Sequence, residues 1–403
     1  MKILLIDVNY GQSSTGKIVQ DLKAGIIADG SSALVAFGRG AALDEPEVMR
    51  VALPAEVYGH VLLSRITGKT GGFSPLSTRR LLKIIEDFKP DVVHLHELHG
   101  YYVNIAEIVS YLKLHAIPTV WTFHCEFMYT GKCGYAYECE QWKTECTRCP
   151  KIRDYPASWM LDRTNTMFHE KLELMRDFTR LKIITPSNWL ADRVRQSFLK
   201  DKDIDVIYNG IDTRNTFMLG SSDALREKHG IKTKHVIVSI APDLMSDRKG
   251  GRWVLEAAKR LADKDITFLM VGLEKPAEIS MENVIALPRV ADQHLLAEYY
   301  TLGDFFLLTS KKETFSLVCA ESLACGTPIL GFDSGAPTEV APAGYGSFVG
   351  YPDIDALCSL IVASIEQPQA FHDREQCASY AARNYGKEAM IASYLKAYKE
   401  LVR

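Results

Sequence analysis

The sequence predicts an α/β protein with two doubly wound parallel sheets, on three observations. At 403 residues the chain exceeds the size at which one hydrophobic core keeps growing, so two domains of about 200 residues are expected. Short apolar runs of buried-strand type recur through both halves with helical segments between several of them, the alternation that builds parallel sheets. Hydrophobic residues make up 47% of the chain, as in an ordinary globular protein.

In the first half the runs at residues 3–8, 32–37, 92–95, 118–123 and 182–185 read as strands. Ligands of such sheets bind at the carboxyl ends of the strands. The segments to inspect are therefore residues 11–17, 94–100, 123–127 and 186–189. Residues 11–17, Gly-Gln-Ser-Ser-Thr-Gly-Lys, meet the G-x-x-x-x-G-K spacing, but Ile18 stands where a nucleotide-binding P-loop needs Ser or Thr for magnesium. The glycine-rich residues 68–74 are expected to form a mobile loop. The apolar Val-Ile-Tyr followed by Asn-Gly at residues 206–210 reads as the exit from one domain. In the second half, strands are expected at residues 235–241, 267–271, 284–287 and 304–309, and a helix at 316–324 closed by Gly326 and Pro328. The division is a first domain at 1–205, a second at 206–385, and a terminal helix at 386–403.

Several classes are excluded or disfavoured. No apolar run approaches the roughly 18 residues of a membrane span, and residues 1–8 are too short for a signal peptide, so a cytoplasmic protein is expected. A formal net charge of -3 gives no general attraction to nucleic acid. Residues 61–85 carry Arg65, Lys69, Arg79, Arg80 and Lys83 with no acidic residue. That run is either a solvated face or a surface for phosphates of an anionic membrane or a lipid-linked acceptor.

Chemistry-bearing residues gather at four places. Glu313 and Glu321 lie eight residues apart across a strand-to-helix junction. A helix start offers N–H groups to a phosphate, and carboxylates accept hydrogen bonds from sugar hydroxyls. Arg248 and Lys249 follow the strand at 235–241 and can neutralise a diphosphate without a metal. His94, His96 and His99 stand close together, and His124 ends the strand at 118–123. The first three lack an acidic or cysteine partner fixed by the sequence and suit sugar hydroxyls better than a metal. Four of the nine cysteines, Cys133, Cys139, Cys146 and Cys149, are spaced C-x5-C-x6-C-x2-C. They read as a closed tetrahedral zinc site, with free thiols and disulfides as alternatives.

The run E-T-F-S-L-V-x-A-E-S-L-A-C-G-T-P from Glu313 resembles the E-x7-E signature of the retaining glycosyltransferases of family four. The resemblance implies the GT-B fold, two Rossmann-like domains facing a central cleft, with the last helix bracing the first domain. It implies that Glu313 contacts the donor sugar and Glu321 the ribose, with the backbone of Phe315, Ser316 and Leu317 near the diphosphate. Gly16 is what remains of the family's glycine pair at the diphosphate. Trp121-Thr122-Phe123-His124 resembles the T-x-H motif whose histidine binds the donor sugar, and Arg248-Lys249-Gly250 the basic segment that binds phosphate. Arg289 would meet the nucleobase region, and His99 and Tyr102 the acceptor. The cysteine-rich insert at about residues 125–156 is similar to that of a branch found in bacterial capsule, exopolysaccharide and O-antigen assembly. The implied enzyme moves a hexose-type sugar from a nucleotide-sugar to a lipid-linked or oligosaccharide acceptor. It does so by front-face displacement with no catalytic cofactor, with structural zinc as the metal and peripheral contact with the inner membrane face. A GT-B phosphorylase or nucleotide-sugar epimerase is the alternative. A nucleic-acid or protein-binding module on the cysteine cluster is a remoter one.

Overall fold

A computed structural model of the chain describes residues 1–402. It divides into two compact units, one of Met1–Tyr208 with the chain from Met390 onward, the other of Asn209–Ala389.

The first unit is built on a seven-stranded sheet. Its strands are β1 (Lys2–Asp7), β2 (Ser32–Phe37), β3 (Val48–Arg50), β4 (Val92–Leu95), β5 (Thr119–Thr122), β6 (Leu181–Thr185) and β7 (Asp203–Val206). They lie in the order β3-β2-β1-β4-β5-β6-β7, all parallel. The order reverses between β1 and β4, so the residues leaving those two strands border the crevice where such sheets bind ligands. Edge strands β3 and β7 have no buried apolar run. Three residues form β3, and in β7 aspartates alternate with Ile204 and Val206 while Lys182 bonds to Asp203 and Asp205.

Both faces of this sheet are covered, which is why its central strands are continuously apolar. Leu4 and Ile6 of β1 pack with Val93, Leu95 and Trp121 on one face. Ile3 and Leu5 pack with Val19, Leu22, Met390, Tyr394 and Tyr398 on the other. The last three belong to the helix Lys387–Val402, whose Tyr398 hydroxyl lies 2.6 Å from His94 Nδ1 and whose Tyr394 hydroxyl lies 2.9 Å from Thr122 Oγ1. The glycine-rich segment expected to be loose is packed. Thr70, Gly71 and Ser74 are buried, Gly71 N–H reaches His60 Nε2, and Gly71 O accepts from Ile105 N–H.

The second unit holds β8 (His235–Ile240), β9 (Ile266–Leu273), β10 (Val284–Pro288), β11 (Phe305–Leu308), β12 (Ile329–Phe332) and β13 (Gly346–Val349). Their order is β10-β9-β8-β11-β12-β13, again parallel. Here the reversal falls between β8 and β11. Their carboxyl ends are neighbours, which brings together residues more than sixty positions apart in sequence. No helix among the described residues is long and apolar enough to cross a membrane.

Candidate active site

In the second unit the loop after β8 and the loop after β11 are joined by a backbone bond and a side-chain bond. Lys311 N–H donates to Arg248 O at 2.8 Å, and Thr309 Oγ1 donates to Lys249 O at 3.0 Å. Gly250 has φ 70°, and a Cβ there would lie 2.4 Å from Thr309 O, so only glycine permits this approach. The two loops thus set Lys249 Nζ 2.6 Å from Glu313 Oε1, with Arg248 Nη1 at 3.6 Å from the same oxygen. The Lys249 and Glu313 side chains are 13% and 10% exposed. Burial alone would push the Glu313 carboxyl up, but Lys249, then Arg248, hold it below its ordinary value. Glu313 is therefore an ionised, preoriented acceptor beside two cations. The loop after β12 fixes its backbone, with Glu313 N–H donating to Ser334 O and Ala336 N–H to Glu313 O.

Glu321 lies one turn into the helix Leu317–Ala324, and its Oε2 accepts from the buried Tyr300 hydroxyl at 2.8 Å. Ser316 enters that helix with φ 86°, a conformation that costs a non-glycine residue about 1–3 kcal/mol and is found where function over-determines the backbone. At the start of the helix the N–H groups of Leu317 and Val318 have no intrahelical acceptor, while Cys319 N–H donates to Ser316 O. Phe315 is buried against Tyr385, 5.6 Å between ring centroids. Arg289, exposed beyond the edge strand β10, makes no hydrogen bond or ion pair to this group among the described residues. Tyr300 and Thr309 are contributors that sequence reasoning missed. Each is an ordinary residue of a buried element and carries no motif.

In the first unit a separate polar cluster lies at the ends of β1, β4 and β5. His96 Nδ1 is 3.0 Å from His124 Nε2 with the rings stacked, and burial holds His124 down to about 4. His99 Nδ1 is 3.0 Å from Glu97 Oε2, its ring stacks on Phe127, and the Cys125 thiol donates to the same Glu97 oxygen at 3.6 Å. Burial would raise the Glu97 carboxyl, but His99 holds it low. Asp7 Oδ1 accepts from Glu97 N–H while its buried Oδ2 has no partner; burial, then Glu97, pushes this carboxyl up to about 7. Glu97 and Cys125 fall within the segments marked for inspection but were not singled out, and Asp7 was not anticipated. The signal for Asp7 was available, since it is a carboxylate closing a strand that is otherwise wholly apolar.

Two expected site residues are displaced inward. Tyr102 is fully buried, its ring covering Gly38, where a Cβ would lie 2.4 Å from the ring, and its hydroxyl donates to Glu97 O. It positions Glu97. Gly16 is buried in the first turn of the helix Ser13–Ala28, where a Cβ would crowd Asn9 and Tyr10 at 3.2 Å. Its lack of a side chain serves that packing.

The four clustered cysteines are half-buried. Cys133 and Cys149 share a hydrogen bond, which pushes the Cys133 thiol up and holds Cys149 down to about 6, and Cys146 Sγ accepts from Gly131 N–H at 3.2 Å. A tetrahedral zinc needs sulfurs roughly 3.8 Å apart. No three of the four bring their sulfurs within 4.8 Å of one another among the described residues, so the sulfurs are not gathered into such a cage. Among the described residues the trio that does meet that distance is Glu97, His99 and Cys125, whose polar atoms already satisfy each other.

The family profile of Glycosyltransferase Family 4 matches residues 16–215, and that of Glycosyl transferases group 1 matches residues 234–367. WcaC of Escherichia coli strain K12, a glycosyl transferase named for colanic acid biosynthesis, is 25% identical over the whole of both chains. Among solved structures, the sucrose-phosphate synthase of Thermosynechococcus elongatus superposes with a TM-score of 0.72 at 16% identity, covering 99% of this chain and 98% of that one. Anabaena Alr3699/HepE, solved in complex with UDP-glucose, gives a TM-score of 0.62 at 18% identity over 98% and 100%. At these identities the structural likeness establishes the GT-B fold.

Proposed function

Because this chain belongs to glycosyltransferase family 4, we propose that it transfers a sugar from a nucleotide-sugar to a lipid-linked saccharide during bacterial surface polysaccharide synthesis, with retention and without a metal in the chemistry. The observation that carries the donor assignment is the buried Glu313–Lys249–Arg248 group at the switch point of the second sheet. Glu313 accepts from hydroxyls of the donor sugar, while Lys249 and Arg248 offset the charge that grows on the departing diphosphate. Preorganised charge of this kind commonly supplies most of the rate enhancement in such sites. The helix start at Phe315, Ser316 and Leu317 receives the diphosphate, and Glu321, held by Tyr300, receives the ribose. By resemblance His124 contacts the donor sugar and Arg289 the base. The Glu97–His99 pair, ionised carboxylate beside imidazole, is assigned to acceptor hydroxyls. WcaC's name supports the polysaccharide reading, and the UDP-glucose complex of HepE supports a nucleotide-sugar as donor. For the four cysteines we keep the zinc reading, on the Cys133–Cys149 contact alone. The metal would pin the insert and take no part in transfer.

Product analysis with a panel of nucleotide-sugars tests this. A glycoside of unchanged anomeric configuration, formed only when acceptor is present and undiminished by a chelator, is expected. Sugar phosphate or epimerised nucleotide-sugar formed without acceptor would assign the chain to the phosphorylase or epimerase reading.

A further inference from the structure

Glu97, His99 and Cys125 bring the donor atoms of a metal site together at the ends of β4 and β5. Glu97 Oε2 lies 3.0 Å from His99 Nδ1 and 3.6 Å from Cys125 Sγ, and Cys125 Sγ lies 4.0 Å from His99 Nε2. Tetrahedral zinc bonded to oxygen, nitrogen and sulfur sets its ligand atoms roughly 3.3–3.6 Å apart, so small side-chain movements suffice. The trio is held from outside. Asp7 Oδ1 accepts from Glu97 N–H, the Tyr102 hydroxyl donates to Glu97 O, and the His99 ring stacks on Phe127 at 4.7 Å between centroids. All three residues also line one small cavity of about 10 Å³, with His96 in its wall. That is room for a single water-sized occupant. His96 Nδ1 is engaged with His124, while its buried Nε2 has no partner among the described residues. Buried polar atoms are rarely left unsatisfied, so this nitrogen independently points to an occupant of the cavity.

We propose that Glu97, His99 and Cys125 bind one zinc ion in competition with the acceptor, with His96 Nε2 the nitrogen left for the fourth position. A thiolate and an imidazole select zinc over magnesium or calcium, which take oxygen ligands. Charge balances as well. A doubly charged cation with one thiolate and one carboxylate is neutral, which suits a cavity walled by Trp121, Phe123, Phe127 and Met128. Binding breaks the Cys125 S–H bond, forms the zinc–sulfur bond and releases the proton to solvent, with no oxidant or reductant involved. The ion engages the Glu97 carboxylate and a His99 nitrogen, the groups assigned to acceptor hydroxyls, so a filled site excludes the acceptor. The competition deepens that assignment and rests on it. The site shares no ligand with Cys133, Cys139, Cys146 and Cys149. Its ion inhibits transfer, in keeping with transfer that a chelator does not diminish.

The full chain, dialysed against chelator and then freed of it, is titrated with cobalt(II) as the spectroscopic stand-in for zinc and read by thiolate-to-cobalt charge-transfer absorption. Cys125→Ala and Glu97→Gln, each checked for cooperative melting, should bind about one equivalent fewer than the parent, and Cys146→Ser with Cys149→Ser should keep that equivalent. In transfer assays, free zinc at about ten times its dissociation constant should raise the acceptor KM about tenfold and leave the donor KM alone. Cys125→Ala, with metal affinity at least about tenfold weaker, should show less than about a twofold rise at the same zinc concentration. The proposal is overturned if Cys125→Ala and Glu97→Gln bind as much cobalt as the parent, if all the cobalt is held by the four clustered cysteines, or if zinc fills the site and the acceptor KM does not move. Loss of the cobalt equivalent in both variants of a chain that transfers no sugar to any acceptor supports the site and counts against the functional reading instead.

Discussion

Burial decides what most of the notable side chains do, and the histidines show it. His94 and His96 read as suited to sugar hydroxyls rather than a metal, yet His94 is held between Tyr398 and Thr122 and His96 against His124. Burial holds His60 and His124 down to about 4 and His94 and His96 well below their ordinary value. An unfolded histidine titrates near 6.5. The fold's stabilisation by neutral histidines is therefore complete above about pH 6.5 and is lost as pH falls toward about 4, because the unfolded chain takes up protons that the fold refuses. Asp7 has the opposite sign. Its folded carboxyl, raised to about 7, favours the fold as pH falls from about 7 toward its unfolded value. Four histidines against one carboxyl give a net loss, so the melting temperature should fall steadily from about pH 7.5 to about pH 5. A melting temperature that is flat or rises over that range would contradict the burial assigned to these rings.

At the scale of elements, most strands buried on both faces were legible because they are continuous apolar runs, although the buried β12 was not read, and the helix from Leu317 was legible from its stop signals. Edge strands β3 and β7 were not, since a short or charge-alternating strand has no such run. The packed Thr70–Gly71 segment was missed because its anchors, Met167 and Ile105, are distant in sequence. The cysteine insert is the element whose reading is least settled by spacing. Within it Cys133 and Cys149 interact, with Lys132 nearby. If zinc pins the insert, elemental analysis of protein prepared without chelators should return about one zinc per chain. Cys146→Ser with Cys149→Ser should then expose residues 131–150 to proteolysis. Metal-free protein with a resistant insert would leave the four residues as free thiols.

At the scale of the whole molecule, each sheet reverses strand order once, and each reversal gathers a polar cluster. The second was legible in advance, because Glu313, Glu321, Arg248 and Lys249 all belong to short motifs. What the motifs did not reveal was the direct Lys249–Glu313 ion pair or the part of Tyr300. Those depend on β8 and β11 being neighbours, a long-range fact that local patterns do not encode. In the first unit the histidines were legible but the approach of Asp7 to Glu97 was not, because the two meet only through the pairing of β1 with β4. The central claim is that the second cluster holds the donor, and the most direct measurement is the transfer rate of Glu313→Gln beside the parent with the cognate nucleotide-sugar. Gln keeps the shape and removes the charge, so turnover should fall at least about tenfold while the fold still melts cooperatively. Transfer at the parental rate would contradict the assignment.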